Sequence, residues 1–312
     1  MTARHLLADD DLTAAEQSQV LDLAAVLKAE RHAEQPLAGP QAVAIIFDKP
    51  TLRTQLSFAT GVAELGGYPM SVDGNLAQIG SRESIPDVAR VIGRQVSAIV
   101  WRTHGQARIE EMAAHVDVPV VNALTDDYHP CQLLADLLTI REHKGATAGR
   151  TLAYLGDGAN NMAHSYLLAC TLAGMHVRIG TPASHRPTAD VLARAERIAA
   201  EQGGSVLVTD DPATAAAGAD VVATDTWVSM GMEEEQGGRT GATSPFAPFA
   251  VTRELLTHAA ADASVLHCLP AYRGVEIEAE VIDGPQSVVW DEAENRLHAQ
   301  KALLTFLLRA SS

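Results

Sequence analysis

Short apolar runs that alternate with longer helical patterns constrain this chain more than any other feature. Ala42-Val43-Ala44-Ile45-Ile46-Phe47, Ala98-Ile99-Val100-Trp101, Val118–Asn122, Leu152–Leu155, His176–Ile179 and Val221–Thr224 all have strand length. Their near-continuous apolarity suits strands covered on both faces. Helical patterns fall between them, at Gln55–Leu65, Ser84–Gln95, Ile109–His115, His129–His143, Asn161–Leu172 and Ala189–Gln202. Parallel strands joined by crossover helices satisfy this order with short connections. The expected class is therefore α/β: two doubly wound parallel-sheet domains with the active site in the cleft between them.

The remaining elements fit the same plan. Thr13 with Glu16 three residues later marks a helix start, continuing to about Lys28. In the first helix after Phe47, Leu56, Phe58, Val62 and Leu65 are expected to form the apolar side. Pro69–Val72 and Val206–Val208 read as short strands, and Pro212–Ala217 as a short helix. Ser264–His267 and Ser287–Trp290 are expected to close the second sheet, before a last helix over Glu294–Arg309. Small residues at Gly145–Gly149 break the pattern, which places the domains at 1–146 and 147–290. Met230–Ser244 is the least regular stretch and reads as a mobile surface loop.

Composition narrows the function. The 312 residues are 47% hydrophobic, enough for two ordinary cores. A formal net charge of -16 disfavours nucleic acid and anionic membrane as partners. An anionic substrate would then need locally concentrated arginine. Cys131, Cys170 and Cys268 have no metal-ligand spacing, and an odd count argues against a disulfide framework. Reduced thiols and the absence of a signal-like N-terminus or a membrane-length apolar stretch fit a cytoplasmic protein.

In open parallel sheets ligands sit beyond the carboxyl ends of the strands, and the notable polar residues fall there. Thr51-Leu52-Arg53-Thr54 stands where a strand hands over to a helix N-terminus, with its dipole and unpaired amides. Arginine adds a planar fork for phosphate oxygens, making an anion cradle without a glycine-rich loop. A Thr cap beside a solvated Arg is the bland alternative. Arg102 ends another strand and, paired with Arg53, would hold a dianion. Alone it reads as a surface arginine.

His129-Pro130-Cys131-Gln132 opens a helix with Pro at its favoured first position. The helix dipole would keep His129 neutral and able to donate to a carbonyl oxygen. An ordinary histidine cap is equally compatible. Gly156-Asp157-Gly158-Ala159-Asn160-Asn161 lacks the third glycine of a dinucleotide loop, so its amides would instead hold a small polar ligand. Asp225 suits an ammonium group, or else caps a helix. Cys268 stands at a strand end, where inert packing is also common.

Taken together, these landmarks resemble the aspartate/ornithine carbamoyltransferase family over essentially the full length. They are Thr51–Thr54, Gln78-Ile79-Gly80, Trp101-Arg102-Thr103, His129–Gln132, Asp157 with Asn160-Asn161-Met162, Asp225 with Ser229-Met230-Gly231, His267-Cys268-Leu269-Pro270 and Glu294-Asn295-Arg296. The Ser229 and His267 motifs point to the ornithine branch.

The resemblance implies an enzyme that moves the carbamoyl group of carbamoyl phosphate to the δ-amine of L-ornithine, giving L-citrulline and phosphate, with arginine biosynthesis as the expected setting. It implies no metal and no organic cofactor. The first domain would bind carbamoyl phosphate, the second the amino acid, and the segment 291–312 would return to the first. Thr51, the Leu52 amide, Arg53, Thr54 and Arg102 would bind phosphate. His129, Arg102, Thr54 and Arg296 would polarise the carbonyl, and Gln132 and the Leu269 carbonyl would accept from the carbamoyl amide. Asn161, Asp225, Ser229 and Met230 would hold ornithine, with Cys268 near its δ-amine. The family assembles as trimers or multiples of them, and a residue equivalent to Gln78 reaches a neighbouring subunit's site. Other amine acceptors, putrescine or an N-acyl-ornithine, are the rival reading. This chain departs from the family pattern with Thr51 for serine, Leu52 for threonine and Gln55 for a further arginine. A less positive phosphate site and weaker carbamoyl phosphate binding are expected from Gln55.

Overall fold

The structure is a computed structural model describing residues 3–228, 236–241 and 243–311. The chain divides into two compact units, residues 1–138 with 294–312, and residues 139–293. Each contains one all-parallel sheet.

The first unit opens with the helix Ala14–Ala29, whose Thr13 and Glu16 form the expected reciprocal cap. Its sheet comprises β1 (Ala42–Phe47), β2 (Tyr68–Asp73), β3 (Ala98–Arg102) and β4 (Val120–Leu124), in the order β2-β1-β3-β4. Val43, Ala44, Ile45 and Ile46 are all buried, as a central strand covered on both faces requires. Edge strand β2 is mostly exposed and accommodates Pro69, which cannot donate to a ladder.

The chain runs from β1 outward to β2 and then returns to β3 on the other side of β1. The switch point of this sheet therefore lies between the carboxyl ends of β1 and β3, where Phe47 pairs with Arg102. The helix Arg53–Glu64 leaves the end of β1 at that point. Phe58, Val62 and the following Leu65 are wholly buried at helical spacing. Leu56 is not on that face: about half a turn from Phe58, it is 58% exposed, against the sequence expectation.

The second unit contains β5 (Thr151–Leu155), β6 (His176–Gly180), β7 (Ser205–Thr209), β8 (Val221–Thr224) and β9 (Ser264–His267). Their order is β7-β6-β5-β8-β9, which places its switch point between β5 and β8. The helix Asn161–Leu172 is buried from Met162 to Leu172 on every side, so its sequence is apolar all round rather than striped. Ala153, Leu155, Val222 and Val265 join Ile277, Val281 and Val289 in a common core.

Ser287–Trp290 does not form a strand. The Val265 amide donates to the Gln286 carbonyl and the Val288 amide to the Val265 carbonyl, a single parallel bridge beside β9. The chain then enters the helix Val289–Ala310, whose first turn holds Asp291 and Glu292. Those carboxylates suit the positive helix end and bring the helix start forward to Val289. No helix among the described residues is long and apolar enough to cross a membrane.

The last helix is fixed within the first unit by buried polar contacts. The Lys301 ammonium, fully buried, donates to the Arg31 carbonyl at 2.5 Å and to Glu64 at 2.8 Å. Its stem passes Gly61, where an added Cβ would sit 3.0 Å away. Lys301→Ala strands part of the Glu64 charge and should cost about 3 kcal/mol in urea unfolding.

Candidate active site

The carboxyl end of the first sheet gathers most of the residues singled out in the sequence. Helix Arg53–Glu64 begins after Leu52, which has no side chain able to cap it. Thr51 supplies a substitute, its hydroxyl accepting from the Thr54 amide at 3.4 Å. Thr51 is thus not itself the N-cap, and Arg53 and Thr54 lie inside the first turn. Leu52 is 68% exposed, compatible with a role for its backbone alone. Gln55 is exposed.

Thr54 is buried, and its hydroxyl accepts from Arg296 at 2.6 Å. The other fork of Arg296 donates to the Gln132 side-chain oxygen at 2.5 Å. Gln132 in turn donates to Asp136 at 2.8 Å, one helical turn on. Asp136 thereby fixes which end of the Gln132 amide faces Arg296.

His129 immediately precedes the helix Pro130–Lys144 and is 4% exposed. Burial holds its pKa well below the usual value, reinforced by the charges of Arg296, Arg102 and Arg53. The imidazole is therefore neutral. The sequence reading reached the same protonation state through the helix dipole, but burial and three guanidinium groups are the stronger causes. The same interactions place Arg53, Arg102 and Arg296 around one imidazole. Gln78 stands apart: it is exposed, at the end of the short helix Gly74–Ala77, with φ of 51°.

At the second sheet, Asn160 caps the helix Asn161–Leu172 by accepting from the Ala163 amide at 2.8 Å, leaving Asn161 as its first residue. The preceding loop does not offer amides to a ligand as the sequence suggested. The Gly158 amide donates to Thr181 and the Ala159 amide to Asp157. The Asp157 carboxylate is paired with Arg239 at 2.6 Å. Arg239 also donates to the Trp227 carbonyl, so Gln236–Arg239 and Ser244 are tied to this loop.

Asp225 follows β8, 7% exposed, and accepts from the Cys268 thiol at 3.2 Å. Burial raises its pKa, while hydrogen bonds from the Cys268 thiol and the Thr226 amide pull it back. His267 is wholly buried. Its Nδ1 accepts from the Leu269 amide at 2.9 Å, so Nε2 carries the proton and donates to Glu276 at 3.2 Å. This bond holds Leu269 at φ of 58° and fixes the direction of the following carbonyl. Ser229 and Met230 lie outside the described residues.

Asp225, His267 and Cys268 offer ligand atoms that all lie within 4.8 Å of one another. A metal there would have to displace the Leu269 amide from Nδ1 or the proton from Nε2, because both ring nitrogens are engaged. The arrangement fits a buried positioning histidine better than a metal ligand.

Sequence reasoning missed Asp136, Glu276 and Arg239. Asp136 was discoverable from its spacing of four residues after Gln132 on one helix. Glu276 and Arg239 carried no local signal.

The neutral buried His129 makes acid destabilising. Below the unfolded value of 6.5 the unfolded chain gains a proton that the folded chain refuses. Stability should fall as pH drops from 6.5 towards the depressed folded pKa, by up to about 1.4 kcal/mol per pH unit from this group. His129→Asn should flatten the melting temperature against pH in that window.

Residues 4–142 match the family model for the carbamoyl-P binding domain of aspartate/ornithine carbamoyltransferase, and residues 148–307 that for its Asp/Orn binding domain. Over 308 residues the chain is 63% identical to a protein of Clavibacter sepedonicus named ornithine carbamoyltransferase, covering 99% of both chains. It is 64% identical over 308 residues to one of the same name from Clavibacter michiganensis, again covering 99% of both. A solved ornithine carbamoyltransferase from Pyrococcus furiosus superposes with a TM-score of 0.91 at 42% identity, covering 98% of this chain and 97% of that one. The chain belongs to the aspartate/ornithine carbamoyltransferase family.

Proposed function

We propose that this enzyme transfers the carbamoyl group of carbamoyl phosphate to the δ-amine of L-ornithine, giving L-citrulline and phosphate. The observation that carries the reading is the buried array in which Arg296 bridges Thr54 and Gln132 beside a neutral His129. It supplies fixed donors for a carbonyl oxygen, next to arginines suited to a leaving phosphate. The relatives' names support ornithine as acceptor.

Each role follows from what the reaction needs. Phosphate gains charge as it leaves, and Thr51, the Leu52 amide, Arg53, Thr54 and Arg102 are assigned to hold it. As the amine attacks, the carbonyl becomes an oxyanion, stabilised by His129, Arg102, Thr54 and Arg296. Gln132 and the Leu269 carbonyl accept from the carbamoyl amide and orient it. Asn161, Asp225, Ser229 and Met230 are assigned to the α-groups of ornithine, with Cys268 by the δ-amine. No side chain is assigned as general base; the departing phosphate takes the proton. Orientation of the two substrates supplies much of the acceleration.

Asp225 decides between acceptors. A buried carboxylate beside a thiol donor suits the free α-ammonium of ornithine, which an N-acyl-ornithine lacks and putrescine does not place beside a carboxylate. Arginine synthesis in the cytoplasm is the proposed setting. A trimer, or a multiple of trimers, is the proposed assembly. Exposed Leu52 just before helix Arg53–Glu64 and Leu56 on it, with Tyr68 and Met70 on the neighbouring β2 and Leu76 beyond it, support burial against another copy.

Carbamoyl transfer from carbamoyl phosphate should proceed with L-ornithine, giving citrulline in a steady-state assay, and should not proceed with putrescine or N-acetyl-ornithine, whose products would be carbamoylputrescine and N-acetyl-citrulline. Product with either substitute but none with ornithine would overturn the reading. Arg53→Ala should lower kcat/KM for carbamoyl phosphate by about 10²-fold or more.

Asp225 also predicts a pH dependence. Burial raises its pKa, so the carboxylate loses its charge as pH falls through a value above the ordinary carboxylate range. The KM for ornithine should rise as pH falls through that value, and Asp225→Asn should raise it above that pH and remove the dependence.

A further inference from the structure

Arg108 lies outside every motif that carried the functional reading, yet it meets the ends of β1 and β3 and the Gln78 segment at once. Its Nε donates to the Thr103 hydroxyl at 3.0 Å. Its Nη2 donates to the Ile79 carbonyl at 2.8 Å and lies 3.4 Å from Asp48. The Thr103 hydroxyl itself donates to the same Asp48 oxygen at 2.6 Å. The guanidinium plane is further held over the Trp101 ring, 5.3 Å from its centroid.

The three partners are placed by the fold. Asp48 follows β1 and leads into Thr51–Thr54. Thr103 follows Arg102 at the end of β3, and the Asp48 amide donates to the Arg102 carbonyl at 2.9 Å. Ile79 follows Gln78, on the exposed segment after β2. That segment closes tightly on the knot. An added Cβ at Gly74 would meet the Asp48 carboxylate at 1.8 Å, and one at Gly80 would meet Arg108 Nη1 at 2.9 Å. Gly80 also has φ of 79°, a conformation that favours glycine.

We infer that Arg108 is a positioning residue for carbamoyl phosphate binding, whose fork locks the Gln78 segment to the ends of β1 and β3. The inference rests on the reading of Gln78 as a carbamoyl phosphate ligand and names the group that sets its pose. Arg108 touches no substrate in this scheme. A lysine cannot replace it, because one ammonium cannot span Thr103, Asp48 and Ile79 with the geometry of a planar fork.

A double-mutant cycle between Arg108 and Gln78 tests this on the full chain. R108M should raise the KM for carbamoyl phosphate about tenfold, leaving the KM for ornithine near wild type, and R108K should behave in the same way. In a Gln78→Ala background the same R108M change should add less than about twofold, because the segment it positions has already lost its ligand. A wild-type KM in R108M, or effects of R108M and Q78A that multiply fully, would overturn the inference. If R108M does not fold, Thr103→Val replaces it in the cycle and is read by the same two outcomes. Failure of the wild-type protein to form citrulline would instead remove the functional reading on which the inference stands.

Discussion

Concentrating positive charge around a neutral imidazole is the constraint on which the rest of the first unit turns. The chain as a whole is strongly acidic, with a net charge of -16, yet Arg53, Arg102 and Arg296 all act on His129. Like charges gathered in a poorly solvated place are costly unless hydrogen bonds and an opposing charge hold them. The Arg296 fork meets that demand through Thr54 and Gln132, and the Asp136 carboxylate stands behind Gln132. The parallel sheet matters because its switch point brings the ends of β1 and β3 together, with Phe47 paired to Arg102.

The second unit solves a different problem with the same architecture. Its carboxyl edge holds a buried carboxylate, a thiol and a histidine, and the histidine is spent on geometry. His267 receives the Leu269 amide on one ring nitrogen and gives its proton to Glu276 on the other. A backbone carbonyl is thereby aimed by a side chain two residues earlier. Asp157, which could have been read as a second ligand carboxylate, is neutralised by Arg239 and acts as a brace.

Much of this was legible in the sequence, and the failures have physical causes. Asn161–Leu172 and Ala189–Gln202 were bounded correctly because a capping residue or Thr188 precedes each and a glycine follows within two residues. Ser287–Trp290 looked like a strand because three apolar residues carry no phase. Only the long helix beyond it, and the acidic pair at its start, decide the matter. Leu56 was taken as core because it is apolar, although Phe58, Val62 and Leu65 already defined the buried side. His129 was read as neutral for a cause that proved secondary, since burial cannot be seen in one dimension. Arg296 was found through the family motif; nothing local connects it with Thr54, 242 positions away. The Asp48, Thr103 and Arg108 knot had no sequence signature, for each of its members looks like an ordinary loop or surface residue.

The first unit is assembled from two stretches separated by the whole second unit, with residues 294–312 supplying its closing helix. A ribosome must therefore make the whole intervening lobe before Arg296 and Lys301 emerge. Until then Thr54 and Gln132 lack the Arg296 fork and Glu64 lacks the Lys301 ammonium, and the nascent lobe cannot finish its core. A stop codon between His267 and Glu294 would yield a chain that retains all nine strands yet lacks the Arg296 fork and the Lys301 ammonium.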